Sequence, residues 1–338
     1  MMTRLAAGRR AAAILVWMIL SGPAFESNAA AVDLPVKVEV GVEEKYDDLA
    51  IYLVNESTNQ TFSDWDWITE PYLTISYTRP GLLPTKLLFD FTADIYAKYP
   101  IQDYETFKFL VKQSINDKTA VAVKYTFIPY IFFGDDVIQF GGTNVPYREQ
   151  QHEINIVQAS VDREVTSNLL LTASVKYGAR FAQPAFSYRD FRLWGASVEG
   201  VYRPLKATRL VLGSACERDE ARGGTNAFSG QPDNATYDQI SLYTTVSYSI
   251  SDRWLLKGQY AYRWRNYTTG FGPTYPKGED LLHFHRRDQT NDYSVQAIYR
   301  LTRPVYLYAM YENILKNSTK SYANYHESIY TIGVDYRF

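Results

Sequence analysis

Few side chains in this sequence are equipped for covalent or metal chemistry: four histidines (His152, His283, His285, His326) and one cysteine, Cys216. A hydrolase needs a nucleophile within hydrogen-bond reach of a base. His326-Glu327-Ser328 has such a spacing, since residues two apart share one face of a strand. Ser328, however, has the parity of Tyr330 and Phe338, an apolar face, which argues against catalysis. His283 and His285 in LLHFHRRD could bind a metal, but two spaced imidazoles in a loop are a weak signal, since exposed loop histidines are far commoner. No glycine-rich phosphate loop and no metal-type cysteine spacing occurs. The expectation is therefore a protein without catalytic residues, metal or cofactor. The lone Cys216 excludes an internal disulfide. It lies in a segment of mixed facing and is expected to be a buried or lumenal thiol.

The charged residues are more informative, because they alternate with apolar ones. VKVEVGV sets Val36, Val38, Val40 and Val42 against Lys37 and Glu39. TKLLFDFTADIYA sets Leu87, Phe89 and Phe91 against Asp90 and Asp94. Such a period of two is a strand with one apolar and one polar face. Collected along the chain, the polar faces carry Glu39, Asp66, Glu70, Asp90 and Asp94 early on. Lys108, Lys112, Lys124 and Lys176 follow, then Lys257, Arg263, Arg265 and Arg300 with Glu312 beside them. If these faces line a common interior, acidic and basic sectors facing one another would set a transverse field that selects solutes by charge. The alternative is that they pair and close the interior.

Fourteen alternating segments can be counted from VKVEVGV to the terminal YTIGVDYRF. Connections after the even-numbered segments are tight and carry turn residues: RPGLLP, INDK, DREVTSN, RPLKAT, SDR and TRP. The others are long and polar, such as YDDLAIYLVNESTNQTFSD and FGDDVIQFGGTNVPYREQ. An even strand number with short turns at one end and long loops at the other predicts a 14-stranded antiparallel up-and-down transmembrane β-barrel, an all-β fold. Trp254 and Trp264 share parity on one strand. At ~3.3 Å per residue and ~40° tilt they lie roughly 25 Å apart along the membrane normal, the height of an apolar band between aromatic girdles. Trp67, Trp254, Trp264, Tyr336 and Phe338 are assigned to those girdles. The last strand must pair with the first so that no edge is left in hydrocarbon.

Residues 1–30 differ in kind. Arg4, Arg9 and Arg10 precede the apolar run AAAILVWMIL and the small residues of SGPAFESNAA, the pattern of a cleaved secretory signal peptide. Residues 31–338 then form the barrel domain. A net charge of -2 suggests no nucleic-acid partner. Twenty-nine Tyr and six Trp suit a protein with two membrane interfaces. The expected location is the outer membrane of a Gram-negative bacterium, with outer-membrane lipid and lipopolysaccharide as surroundings. The oligomeric state is left open.

VGVEEKYDDLAIY, in which Glu44, Tyr46, Asp47 and Asp48 follow the first strand, resembles the β-barrel porin 2 family of bacterial outer-membrane proteins, as does FSDWDW at Asp64. That resemblance implies a barrel without fixing a substrate. The terminal Phe338, preceded by apolar residues at alternating positions, resembles the signal read by the barrel assembly machinery. His326 and Ser328 resemble the pair used by outer-membrane lipid A deacylases. The functional expectation is a porin-like channel for passive passage of small hydrophilic solutes. The alternative is a structural or secretion-associated barrel whose extracellular loops bind a partner or a surface polymer.

Overall fold

The computed structural model describes residues 35–55, 60–132, 151–182, 184–225, 232–268, 280 and 283–338. The expected signal peptide (1–30) and the loops 133–150 and 269–279 lie outside them.

Sixteen strands occur in the described residues: β1 (Val36–Asn55), β2 (Gln60–Arg79), β3 (Thr85–Tyr96), β4 (Tyr104–Asn116), β5 (Thr119–Phe132), β6 (Gln151–Thr166), β7 (Leu169–Ala182), β8 (Phe191–Leu205), β9 (Thr208–Ala221), β10 (Gly224–Thr225), β11 (Pro232–Asp233), β12 (Tyr237–Ser249), β13 (Trp254–Tyr267), β14 (Arg287–Arg300), β15 (Val305–Ser318) and β16 (Tyr325–Arg337). β10 and β11 form a separate two-residue hairpin; the other fourteen make one closed barrel with neighbours in chain order. β16 closes on β1 in antiparallel register, from Glu39 opposite Arg337 to Asp47 opposite Ile329. The Phe338 amide extends the seam by donating to the Val38 carbonyl at 2.8 Å. Every barrel strand therefore has two neighbours, which satisfies its backbone groups without water.

The outer surface is the apolar one. Leu212 is 65% exposed, Ile332 63% and Val295 61%, whereas Ser294 and Thr331 beside them are buried. This inverts a soluble fold and is what strand parity predicts when lipid is the outer solvent. The facing of two ambiguous segments is now fixed. On β6, Val157 and Val161 point outward; on β9, Leu212 points outward and Val211 inward. Cys216 shares the parity of Leu212 and is exposed on the outer face, which corrects the expectation of a buried or lumenal thiol.

All six tight turns lie where the sequence puts them, between β2 and β3, β4 and β5, β6 and β7, β8 and β9, β12 and β13, and β14 and β15. The segment YDDLAIYLVNESTNQTFSD, expected as a loop, instead carries β1 and β2 onward as 20-residue strands. β14 likewise begins at Arg287 and β15 continues to Ser318, well beyond the apolar alternation. Above the girdle both faces meet water, so alternation lapses while the ladder continues.

Inside, three glycines face tyrosines across the ladder: Gly41 with Tyr72, Gly213 with Tyr243, and Gly333 with Tyr308. At each, a Cβ on the glycine would overlap the tyrosine ring. The rings therefore lie flat on the wall instead of standing in the bore. The Tyr308 hydroxyl also donates to Glu43. Gly333→Val is expected to lift Tyr308 and to destabilise the barrel by about 1–3 kcal/mol. A denaturant titration in vesicles should show this loss, partly restored in the double mutant with Tyr308→Ala.

Candidate functional site: the lumenal wall

Strand parity and burial place Glu39, Asp90, Asp94, Lys112, Lys124, Lys176, Lys257, Arg263, Arg265 and Arg300 on the inward face. Several are paired. Glu39 meets Arg337 at 3.2 Å. Asp94 meets Lys45 at 3.2 Å, and Lys45 also holds Glu70 at 2.6 Å. Asp90 accepts the Thr74 hydroxyl at 2.7 Å, and Arg263 meets Asp292 at 3.1 Å. Lys112 and Lys176 pair two strands away, with Asp162 and Glu217. Both bridges cross a small residue: Ala122 lies opposite Lys112 on the intervening β5, and Gly195 lies between Lys176 and Glu217 on β8. A larger side chain at either point would stand in the way of the lysine stem.

Lys124, Lys257, Arg265 and Arg300 have no carboxylate within 4 Å among the described residues, and neither has Lys108 on β4. Asp66 leaves the lumenal set. It is fully buried and accepts the backbone N–H groups of Lys98 (2.9 Å) and Tyr99 (3.0 Å), anchoring the connection to β4.

The arrangement differs from two facing sectors of opposite sign. Acidic groups gather on β1–β3, continuing through Asp335 on β16 and Glu312 on β15. In the closed order, β4 and β13 are seven strands apart in either direction and so stand across the bore from each other. The basic arc that begins at Lys108 and Lys112 therefore faces Lys257, Arg263 and Arg265. A solute passing between them meets positive charge on two sides and carboxylates on the other two, those of β1–β3 and those of Glu199, Glu217 and Asp219 on β8 and β9. Fourteen strands ~4.8 Å apart, tilted ~40°, give a backbone diameter of about 28 Å, intermediate between side-chain-filled and widely open barrels.

The histidines take other roles. His326 and Ser328 are on the outer face, where Asn313 Nδ2 donates to His326 Nε2 (2.6 Å) and lies 3.3 Å from Ser328 Oγ. Among the described residues no hydrogen bond joins Ser328 to the imidazole, so the arrangement lacks the contact through which a base would take the hydroxyl proton. The Ser328 amide donates to Asp48 Oδ1 at 2.6 Å, just beyond the last β1–β16 pair.

His283 is buried beside Asp280 (2.9 Å) and Asp233 (3.7 Å), and ligand atoms of the three lie within 4.8 Å of one another. Arg189 already holds Asp233 through Nε (3.1 Å) and Nη2 (2.8 Å), and Asp280 also accepts the Asn234 amide at 2.7 Å. These bonds stitch β11 to the segment preceding β14. His285 is not part of this group; it has a positive φ of 55°. His152 is buried at the start of β6.

The girdle residues are on the outside. Trp67, Trp254 and Trp264 are 49%, 44% and 36% exposed, and the Tyr336 and Phe338 rings meet at a tilt with centroids 4.5 Å apart. A closed antiparallel ladder with an apolar outer belt between aromatic rings is a structure only a bilayer would solvate. The fold is that of an outer-membrane barrel. No protein-family model matches the chain, and no curated protein matches it in sequence. Among solved structures, the outer membrane channel DcaP of Acinetobacter baumannii is similar, at 12% identity over 90% of this chain and 97% of that one, with a TM-score of 0.50. The deltaS2 mutant of the TodX monoaromatic hydrocarbon channel matches at 7% identity over 90% of each chain, TM-score 0.49. A bacterial polysaccharide outer membrane secretin matches at 8% identity over 89% of this chain and 98% of its own, TM-score 0.49. At these identities the likeness is one of fold. In outer-membrane barrels the end that carries the long connections faces the exterior and forms the outer rim.

The sequence reading passed over the ion-pair partners Lys45, Asp162, Glu217, Asp292 and Arg337, and two further lumenal residues beyond the apolar alternation. Asp288 and Lys316 lie on the outer extensions of β14 and β15, 3.5 Å apart. The signal that could have found them is parity carried past the last apolar residue.

Proposed function

We propose that this outer-membrane barrel is a porin-like channel for passive passage of small hydrophilic solutes, with its inward charges setting selectivity. The observation carrying this reading is that inward-facing charges remain without an ion-pair partner among the described residues: the cations Lys108, Lys124, Lys257 and Arg265 on opposed arcs, β4–β5 and β13, and the carboxylates Asp90, Glu199 and Glu312 on the walls between them. Groups serving only to close an interior would pair out, because an uncompensated charge in a confined space is costly. The shared fold with an outer membrane channel is consistent with this reading. The residues resembling the β-barrel porin 2 family also have defined places, since Asp47 and Asp48 bond backbone amides where β1 departs from β16. Membership of that family is part of the same proposal, as is insertion through the terminal strand by the barrel assembly machinery into lipid and lipopolysaccharide.

The test is conductance of purified protein in a planar bilayer. Discrete channels are expected, and joint replacement of Lys257, Arg263 and Arg265 by Glu should shift the permeability ratio toward cations by several-fold. Absence of conductance above background would refute the channel. Unchanged ion selectivity in the triple mutant would remove these residues from the filter.

A second reading, a platform for a partner or a surface polymer, has its own support. At the outer rim the 3-10 helix Pro184–Arg189, the β10–β11 hairpin and the residues before β14 are joined by the buried Arg189–Asp233 pair and by the Asn234 amide donating to Asp280. They cover a small core of Phe191, Ala221, Ala235, Tyr237 and Tyr267. Such a rigid cap would suit a recognition surface.

A further inference from the structure

Near the outer rim, the inward faces of β12 to β16 enclose a pocket of about 200 Å³. Three of its side chains are cations, Arg263, Arg265 and Lys316, and one is a carboxylate, Asp288; Gln239 and Thr290 add polar groups. Asp288 is already engaged, accepting Arg286 Nε at 3.0 Å and Nη2 at 2.9 Å in a two-pronged bond. Lys316 reaches the same carboxylate at 3.5 Å but has none to itself.

Arg265 is the decisive residue. Its Nε and Nη2 both donate to Gln239 Oε1, at 3.2 and 3.1 Å, and its guanidinium lies 4.1 Å from the centre of the Tyr237 ring. It is thus held in place by neutral groups, and the carboxylate opposite it in the ladder, Asp288, is already taken by Arg286 and shared with Lys316. Arg263 is itself paired with Asp292 at 3.1 Å, but a fixed guanidinium beside an ammonium that shares its only carboxylate is suited to an oxyanion, because charge-assisted bonds to carboxylate or phosphate are strongest where the donors are already oriented. The volume has room for several waters, or one small solute in their place.

We propose that this pocket is a binding site for a small oxyanion, the carboxylate or phosphate of a solute entering the barrel. The site rests on the channel reading for its purpose but not for its chemistry, so it can be tested apart from it. In a planar bilayer with potassium chloride, succinate and inorganic phosphate are added separately, with glucose as the neutral control. Millimolar succinate or phosphate is expected to reduce the chloride current, and glucose to leave it unchanged. Arg265→Gln and Lys316→Gln should each raise the half-blocking concentration about tenfold, with Arg265→Lys intermediate. The more effective of the two anions identifies the oxyanion.

Block that is equal in wild type and in folded Arg265→Gln would overturn the site while leaving the channel intact. If wild type carries no current, the channel reading fails and calorimetry of the detergent-purified protein with the same anions decides the pocket. Binding weakened in Arg265→Gln supports it, and no heat of binding in wild type overturns it. Heat-modifiable gel mobility establishes that each variant is folded.

Discussion

Val295→Arg is expected to destabilise the barrel by about 2–4 kcal/mol, while Gln296→Arg, its neighbour on β14, costs under about 1 kcal/mol. Val295 pairs with Gly258 and Tyr311 and points outward. It is four residues above the lower-girdle Tyr299, close to the middle of the hydrocarbon, where a guanidinium finds neither water nor a counter-charge. Gln296 lies between Lys257 and Met310 on the inward face. An arginine there meets water and adds to a basic arc. Urea titration in lipid vesicles should separate the two variants. Equal destabilisation would mean that the inside and outside of β14 are wrongly assigned.

The second large effect is expected at Asp288. Its carboxylate is 2% exposed and takes both prongs of Arg286 while lying 3.5 Å from Lys316. Asp288→Ala leaves two buried cations without their shared anion. Removing one partner of a buried ion pair costs about 3–5 kcal/mol. Asp288→Asn keeps the shape and an acceptor oxygen and should lose less. The measurement is again the denaturant midpoint, with susceptibility of the β13–β14 connection to protease as a local readout. Wild-type stability in Asp288→Ala would show that Arg286 and Lys316 have access to water.

The course of β13 shows what could be read in advance. Trp254, Leu256, Tyr260, Tyr262 and Trp264 on one face, with Lys257, Arg263 and Arg265 on the other, fix facing and span because lipid on one side and water on the other impose alternation residue by residue. The same constraint made the strand number and the tight turns legible. It ends at the girdle, so Asp288 and Lys316 were passed over as loop residues although their strands continue. Inside the barrel, lipid exerts no constraint at all. That Lys112 finds Asp162 across Ala122, or that β4 faces β13, depends on closure order and on small residues between strands. Neither is visible in a single segment. The Tyr308 and Gly333 pairing is of the same kind, plain only once the register is known.

The β1–β16 seam has a kinetic consequence. Most other ladders join strands that are close in the chain, but this one pairs Glu39 with Arg337, almost three hundred residues away. Loop-closure entropy grows only as the logarithm of that separation, yet the search must be completed before the pairing repays it, which makes such contacts slow. Until they meet, β1 and β16 each expose an unpaired edge able to bind any strand offered to it. The seam is therefore both the last contact expected to form and the natural place for another protein's strand to hold the nascent barrel open.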